Sequence, residues 1–136
     1  MTWEILKSYI WVAVGSALGG VSRFWISNIV TNRWTAAQKF PWDIIIINVS
    51  GSFVIGILAA LTMSTGRLNT SRGFVLQFFM VGICGGYTTF SSFSLHTLRL
   101  ARDGQWLWAG GNIMISVVAC LIAVWLGFIL GQVINR

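Results

Sequence analysis

The sequence predicts an all-α integral membrane protein of four transmembrane helices. Its composition is the first reason: 56% of the 136 residues are hydrophobic and only 9% are charged, against about 25% charged in ordinary soluble domains. A chain this poor in charge cannot coat a water-facing surface, so the solvent around most of it is lipid. The second reason is length, since a helix needs about 20 apolar residues to cross a bilayer. Four stretches qualify, at roughly 8–30, 44–63, 73–98 and 106–133. The third reason is tryptophan: Trp3, Trp34, Trp42, Trp106 and Trp108 sit near the ends of apolar runs, where amphipathic rings anchor at headgroup level.

The first span opens beside Glu4 and Lys7 and is too long for the apolar core of a cleavable signal peptide. The second carries the run Ile44-Ile45-Ile46-Ile47-Asn48-Val49. The third contains Gly85-Gly86-Tyr87-Thr88-Thr89, a poor helix interior, and is expected to be broken there. The fourth follows a short polar turn. Linkers at Arg33–Trp42 with Pro41, Thr65–Arg72 and Arg99–Gln105 leave no room for a soluble domain, so residues 1–136 read as one four-helix unit.

An even number of spans puts both termini on one side. That side holds Lys7, Arg67, Arg72 and Arg136; the other holds Arg33, Lys39, Arg99 and Arg102. Lys and Arg bias sets insertion direction, and here it is nearly nil, even when Arg23 within the first span is counted. The balance predicts insertion in both orientations and pairing of oppositely inserted copies about an axis in the membrane plane, as inverted repeats do in larger transporters. The competing reading is that one loop charge fixes a single topology. Glycine pairs at four-residue spacing, Gly15/Gly19, Gly82/Gly86 and Gly127/Gly131, allow close helix approach in lipid. Four helices alone cannot wall a pore, so conduction would require an oligomer.

Several classes drop away. The net charge of +6 is spread singly, unlike a nucleic-acid-binding patch. Cys84 and Cys120 are isolated within apolar segments and form neither a disulfide framework nor a zinc signature. An enzyme would show a nucleophile–base pair or a metal cluster. The sole histidine, His96, has no embedded carboxylate partner and reads as a capping or interfacial residue.

Polar residues within a span are either satisfied or functional, because an unpaired polar group in hydrocarbon costs several kcal/mol. At the break, freed carbonyls would suit a hard cation such as Na⁺, and amides opening the next half-helix would suit an anion. A simple kink satisfied by hydroxyls is the plainer alternative. Beyond it, Phe90 and Phe93 share a helix face among Thr88, Thr89, Ser91, Ser92 and Ser94. Ring edges are electropositive and would accept a small anion that hydroxyls also solvate. Asn48 needs a partner, and Asn112, Ser116 and Cys120 fall on one stripe of the fourth helix. Interhelical hydrogen bonding is the competing account of both. No Asp or Glu lies clearly within a span, Asp43 standing at the entrance of the second, and Arg23 reads as the only buried formal charge. That balance favours an anion path.

At these residues the chain resembles the Fluc (CrcB-like) fluoride channels. Gly82-Ile83-Cys84-Gly85-Gly86-Tyr87-Thr88-Thr89-Phe90-Ser91-Ser92-Phe93-Ser94 looks like that family's signature. Asn48-Val49-Ser50-Gly51-Ser52-Phe53 and Gly19-Gly20-Val21-Ser22-Arg23-Phe24 are similar to its second- and first-helix motifs. The resemblance implies an antiparallel, dual-topology homodimer in the bacterial plasma (inner) membrane, with two pathways for passive fluoride export and no catalysis. It implies that Phe90 and Phe93 line the pores with Asn48, that Ser91, Ser92 and Ser116 belong to the polar track, and that Arg23 stands in the vestibule; Thr89, within the signature, and Asn112, on the stripe with Ser116, are expected on the same fluoride pathway. It also implies a structural Na⁺ at the dimer interface, held by the backbone carbonyls of Gly85 and Thr88. Asp43-Ile44 stands where relatives often have Gly-Thr, and Asn112 and Cys120 replace other usual residues. Two further readings differ in class. A small multidrug-type antiporter would need a carboxylate in the first span; a structural membrane subunit would carry no flux.

Overall fold

A computed structural model describes residues 2–34, 40–63, 66–69 and 71–136. Lys39, much of the linker before Pro41, and Thr65 lie outside them. Within them the chain is helical with no strand. Helix α1 runs Trp3–Trp34, α2 Trp42–Leu61, α3 over 72–87, α4 Phe90–Arg102 and α5 Trp106–Asn135. Helices α3 and α4 join into a single bent span, giving four segments among the described residues that are long and apolar enough to cross a membrane. The first is longer than the sequence suggests. Its 32 residues extend about 48 Å, beyond a hydrocarbon core of about 30 Å.

Two glycine seams hold the bundle. A Cβ at Gly15 would strike the Phe78 carbonyl and lie 2.9 Å from the Cα of Gly82. One at Gly19 would strike the Ile83 carbonyl and lie 2.8 Å from the Tyr87 nitrogen. Helix α1 therefore lies directly on the α3 backbone, the two running in the same direction. The second seam joins α2 to α5: Gly56 faces the Val124 carbonyl, Gly127 the Phe53 carbonyl, and Gly131 the Ala60 side chain. In lipid no hydrophobic force drives helices together, so packing distance carries the association. The pairs seen at four-residue spacing thus find partners, and Gly56 joins them.

Local chemistry sets the ends. Asp43 in the first turn of α2 accepts the Ser27 hydroxyl at 2.6 Å and is buried. An acidic residue there also meets the positive end of the helix dipole. This corrects the expectation that Arg23 is the only buried charge. Arg23 is half-exposed, since its long arm can carry the guanidinium away from the packed face, while α2 begins early enough to enclose Asp43. Phe40 is buried against Trp42 and Trp108, ring centroids 4.9 and 5.5 Å away. Helix α4 ends in a Schellman turn: Gly104 has φ +74°, Gln105 N–H donates to Leu100 O at 2.8 Å, and Gly104 N–H to Ala101 O at 3.0 Å. His96 lies within α4, well before that end, so it does not cap the helix.

Replacing Gly127 with Val should lower stability by about 1–3 kcal/mol through overpacking, read as a lower thermal midpoint in detergent. Gly20, which has open space around a built Cβ, should accept Ala with no loss. Equal midpoints for the Gly127→Val variant and the native chain would refute the seam.

Candidate functional site

Residues 75–84 of α3 are wound as a π-helix, a rare form often found at functional sites. One turn later the backbone leaves the helical region. Thr88 has φ −78° and ψ 159°, and Thr89 φ −152° and ψ 113°. β-Branched residues fit such extended backbone. The polar groups released there are met by side chains. Thr88 Oγ1 donates to Cys84 O at 2.9 Å. Thr89 Oγ1 caps α4 by accepting the Ser92 N–H at 3.2 Å.

Asn48 of α2 spans the bend. Its Oδ1 accepts the Thr89 N–H at 2.8 Å, and its Nδ2 donates to the Thr89 carbonyl at 3.2 Å. One amide thus satisfies both backbone groups of a single residue. Next to it, Ser50 Oγ lies 2.9 Å from the Tyr87 hydroxyl. The Thr88 methyl occupies the place a Cβ would take at Gly51, so only glycine permits α2 to approach this closely.

These bonds redirect amides. In an unbroken α-helix the Thr89 N–H would close onto Gly85 O and the Ser92 N–H onto Thr88 O. Here the first goes to Asn48 and the second to Thr89 Oγ1. The carbonyls of Gly85 and Thr88 are left without their usual donors, and both residues line the same groove. Neutral carbonyl oxygens of this kind are ligands for a hard monovalent cation.

The groove has a volume of about 370 Å³ and is open to the outside of the chain. It brings together Asn48, Gly85, Thr88, Thr89, Phe90, Phe93 and Ser116. The two Phe rings lie 5.4 Å apart, tilted by 46°. Phe90 is 77% exposed, so its ring is not part of the core of this chain. Ser91, Ser92, Asn112 and Arg23 do not line the groove. Ser91 and Ser92 instead place their hydroxyls 3.1 Å from Thr89 Oγ1. Asn112 is wholly buried and donates to Thr97 Oγ1 at 2.8 Å; Thr97 donates to Phe93 O at 2.8 Å, and Ser116 to Asn112 Oδ1 at 3.3 Å. Asn112 therefore ties the groove wall at Ser116 to the backbone beneath Phe93. Arg23 sits on α1 and makes no ion pair among the described residues.

The sequence reasoning did not assign Ser52, Ile55, Met80 or Cys84 to the site, yet all four line the groove. The first two follow Asn48 at i+4 and i+7, so a helical projection from Asn48 would have found them. Met80 and Cys84 depend on the winding of α3, which the sequence does not announce.

A family profile described as "CrcB-like protein, Camphor Resistance (CrcB)" matches residues 10–128. The chain belongs to the CrcB family. The matched region takes in all of the groove. CrcB-family relatives are similar over nearly their whole length. A protein of Rhodospirillum rubrum named "Fluoride-specific ion channel FluC" is 53% identical over 129 residues, covering 95% of this chain and 98% of its own. One of the same name from Paramagnetospirillum magneticum is 52% identical over 131 residues, covering 96% and 100%. Another from Methylocella silvestris is 51% identical over 128 residues, covering 94% and 95%.

The Asn48 fork yields a direct prediction for this CrcB chain. Asn48→Ala removes both partners of Thr89 and should cost about 1–3 kcal/mol, the penalty for buried polar groups left unpaired. The check is a thermal melt in detergent; no drop in midpoint would show that the fork contributes nothing.

Proposed function

We propose that this chain is a passive fluoride-selective ion channel, letting fluoride leave the cytoplasm down its electrochemical gradient and so protecting the cell from fluoride toxicity. The relatives are named fluoride-specific ion channels. The observation that carries it for this chain is the groove itself. Two phenylalanine rings, an asparagine amide and hydroxyl residues share one cavity, and no carboxylate is among its described lining residues. Electropositive ring edges and hydroxyl donors can replace the water around a small anion, whereas a carboxylate would repel it. An interior-negative potential drives an anion outward by about 2.3 kcal/mol per 100 mV, so no energy coupling or catalysis is needed.

In this reading Phe90 and Phe93 line the pathway with Asn48 and Ser116, and Thr89, Ser91 and Ser92 form its polar edge. Asn112 holds that edge in register, and Arg23 concentrates anions at the vestibule. The unit is the single domain of 1–136, in the bacterial plasma (inner) membrane, paired as an antiparallel homodimer of dual topology. Support for pairing comes from the open groove and the 77% exposure of Phe90, which a second copy would cover, and from the balanced loop charges. The interruption of the third span is functional here: a structural Na⁺ would be held by the carbonyls of Gly85 and Thr88 from which helical amides are diverted. It would supply fixed positive charge beside the anion path.

Purified protein in liposomes should pass fluoride and exclude chloride, measured with ion-selective electrodes. Phe90→Ile and Phe93→Ile should each abolish most of the flux. Equal fluoride and chloride currents would defeat the selectivity claim, and unaltered flux in both variants would defeat the pore assignment. Dual insertion is tested by single cysteines at Arg67 and Arg102. Both should be modified in part by an impermeant thiol reagent added outside intact cells, whereas modification of only one would establish a single topology.

A further inference from the structure

The groove contains chemistry that an anion path does not use. Met80 and Cys84 line it from one wall, four residues apart on α3, and Cys120 lines it from α5. In the π-helical winding of this segment, with its i→i+5 hydrogen bonds, residues four apart stand nearly one turn apart on the same side, so both side chains can address one ion. Cys84 is a free thiol. No Asp, Glu or His is among the described lining residues, so the cavity offers no charged oxygen and no imidazole. Its hard donors are neutral carbonyls, amides and hydroxyls; its soft donors are sulfur alone.

We infer that the groove holds a binding site for a soft, thiophilic monovalent cation such as Ag⁺ or Cu⁺, ligated by the Cys84 thiolate and the Met80 thioether, and that its occupation blocks the pathway. Thiolate and thioether ligands select such ions, and the Met side chain is flexible enough to adjust to one. Binding replaces the thiol proton: a silver–sulfur bond forms and one H⁺ is released, with no change of oxidation state. Met80 completes the coordination as a neutral donor. The ion would then lie in the cavity shared with Phe90, Phe93 and Asn48, where it obstructs passage directly. Cys120 lines the groove from α5 and is not needed for the pair.

The blocking consequence rests on the channel reading; the binding site does not. The test therefore has two arms, both in chloride-free nitrate buffer because silver chloride precipitates. In the first, purified protein in detergent is titrated with silver nitrate and bound silver is counted by native mass spectrometry. Wild type should hold one tight Ag⁺ per protomer, with Cys120→Ala unchanged. Cys84→Ala should lose the tight site. Met80→Leu, a volume-conserving change, should weaken it by about tenfold, one ligand's share of the affinity. Unchanged tight binding in Cys84→Ala, or its loss in Cys120→Ala alone, would overturn the assignment. In the second arm, fluoride efflux from liposomes is recorded before and after silver. Block of the wild type and escape by Met80→Leu at the same silver concentration would support the proposal. Undiminished efflux with silver bound would overturn the block. If untreated liposomes pass no fluoride, the channel reading fails, and the mass measurement still decides the site.

Discussion

Asn48 joins two parts of the chain through both ends of one amide. Its oxygen takes the Thr89 N–H and its nitrogen serves the Thr89 carbonyl. In a medium that cannot hydrogen-bond, two extended residues in mid-span would otherwise expose several unpaired groups, each costing several kcal/mol. The bend at Thr88–Thr89 is tolerable because α2 supplies the partner that water would supply elsewhere. The same bonds have a second effect. By taking the Thr89 amide, Asn48 removes the donor that would close on Gly85; Thr89 Oγ1 does the same to Thr88 through the Ser92 amide. Satisfying one set of backbone groups frees another, and the freed carbonyls belong to residues of the groove.

The rest of the bundle keeps that fork in place. Asn48 reaches Thr89 because Gly51, one turn along, lets α2 press against the Thr88 methyl. Helix α2 is fixed to α5 by the Gly56, Gly127 and Gly131 seam, and α3 to α1 by Gly15, Gly19 and Gly82. Backbone-to-backbone contact is the appropriate means in lipid, where burying another leucine gains little. The polar chain from Ser116 through Asn112 and Thr97 to the Phe93 carbonyl adds a directional tie on the far wall. Interhelical hydrogen bonds of this sort average well below 2 kcal/mol each, so their value here lies in fixing register more than in adding stability.

The groove joins opposed demands. In the proposed reading, a partly dehydrated anion needs donors and positive ring edges, a carbonyl without its amide needs another donor or a cation, and an exposed ring such as Phe90 needs a covering surface. Met80, Cys84 and Cys120 line the same space without meeting any of these demands, and the inferred soft-cation site rests on the first two.

Much of this was legible in the chain. Composition fixed the lipid environment, because a chain with only 9% charged residues cannot coat a surface that faces water. Apolar run length fixed the spans, because bilayer thickness is external to the fold. The Gly85–Thr89 segment marked the bend through helix propensity, and the signature around Phe90 and Phe93 marked the family. Tertiary structure decided the pairings. That Asn48 serves Thr89 rather than another helix, that Asn112 turns inward to Thr97 while Ser116 faces the groove, and that Asp43 is enclosed with Ser27 all depend on side chains from separate spans meeting at one depth. Periodicity assigns a residue to a face of its own helix. Which neighbour that face meets, and at what height, is set by the glycine seams and the bend together, and neither distance nor height is written in a one-dimensional pattern.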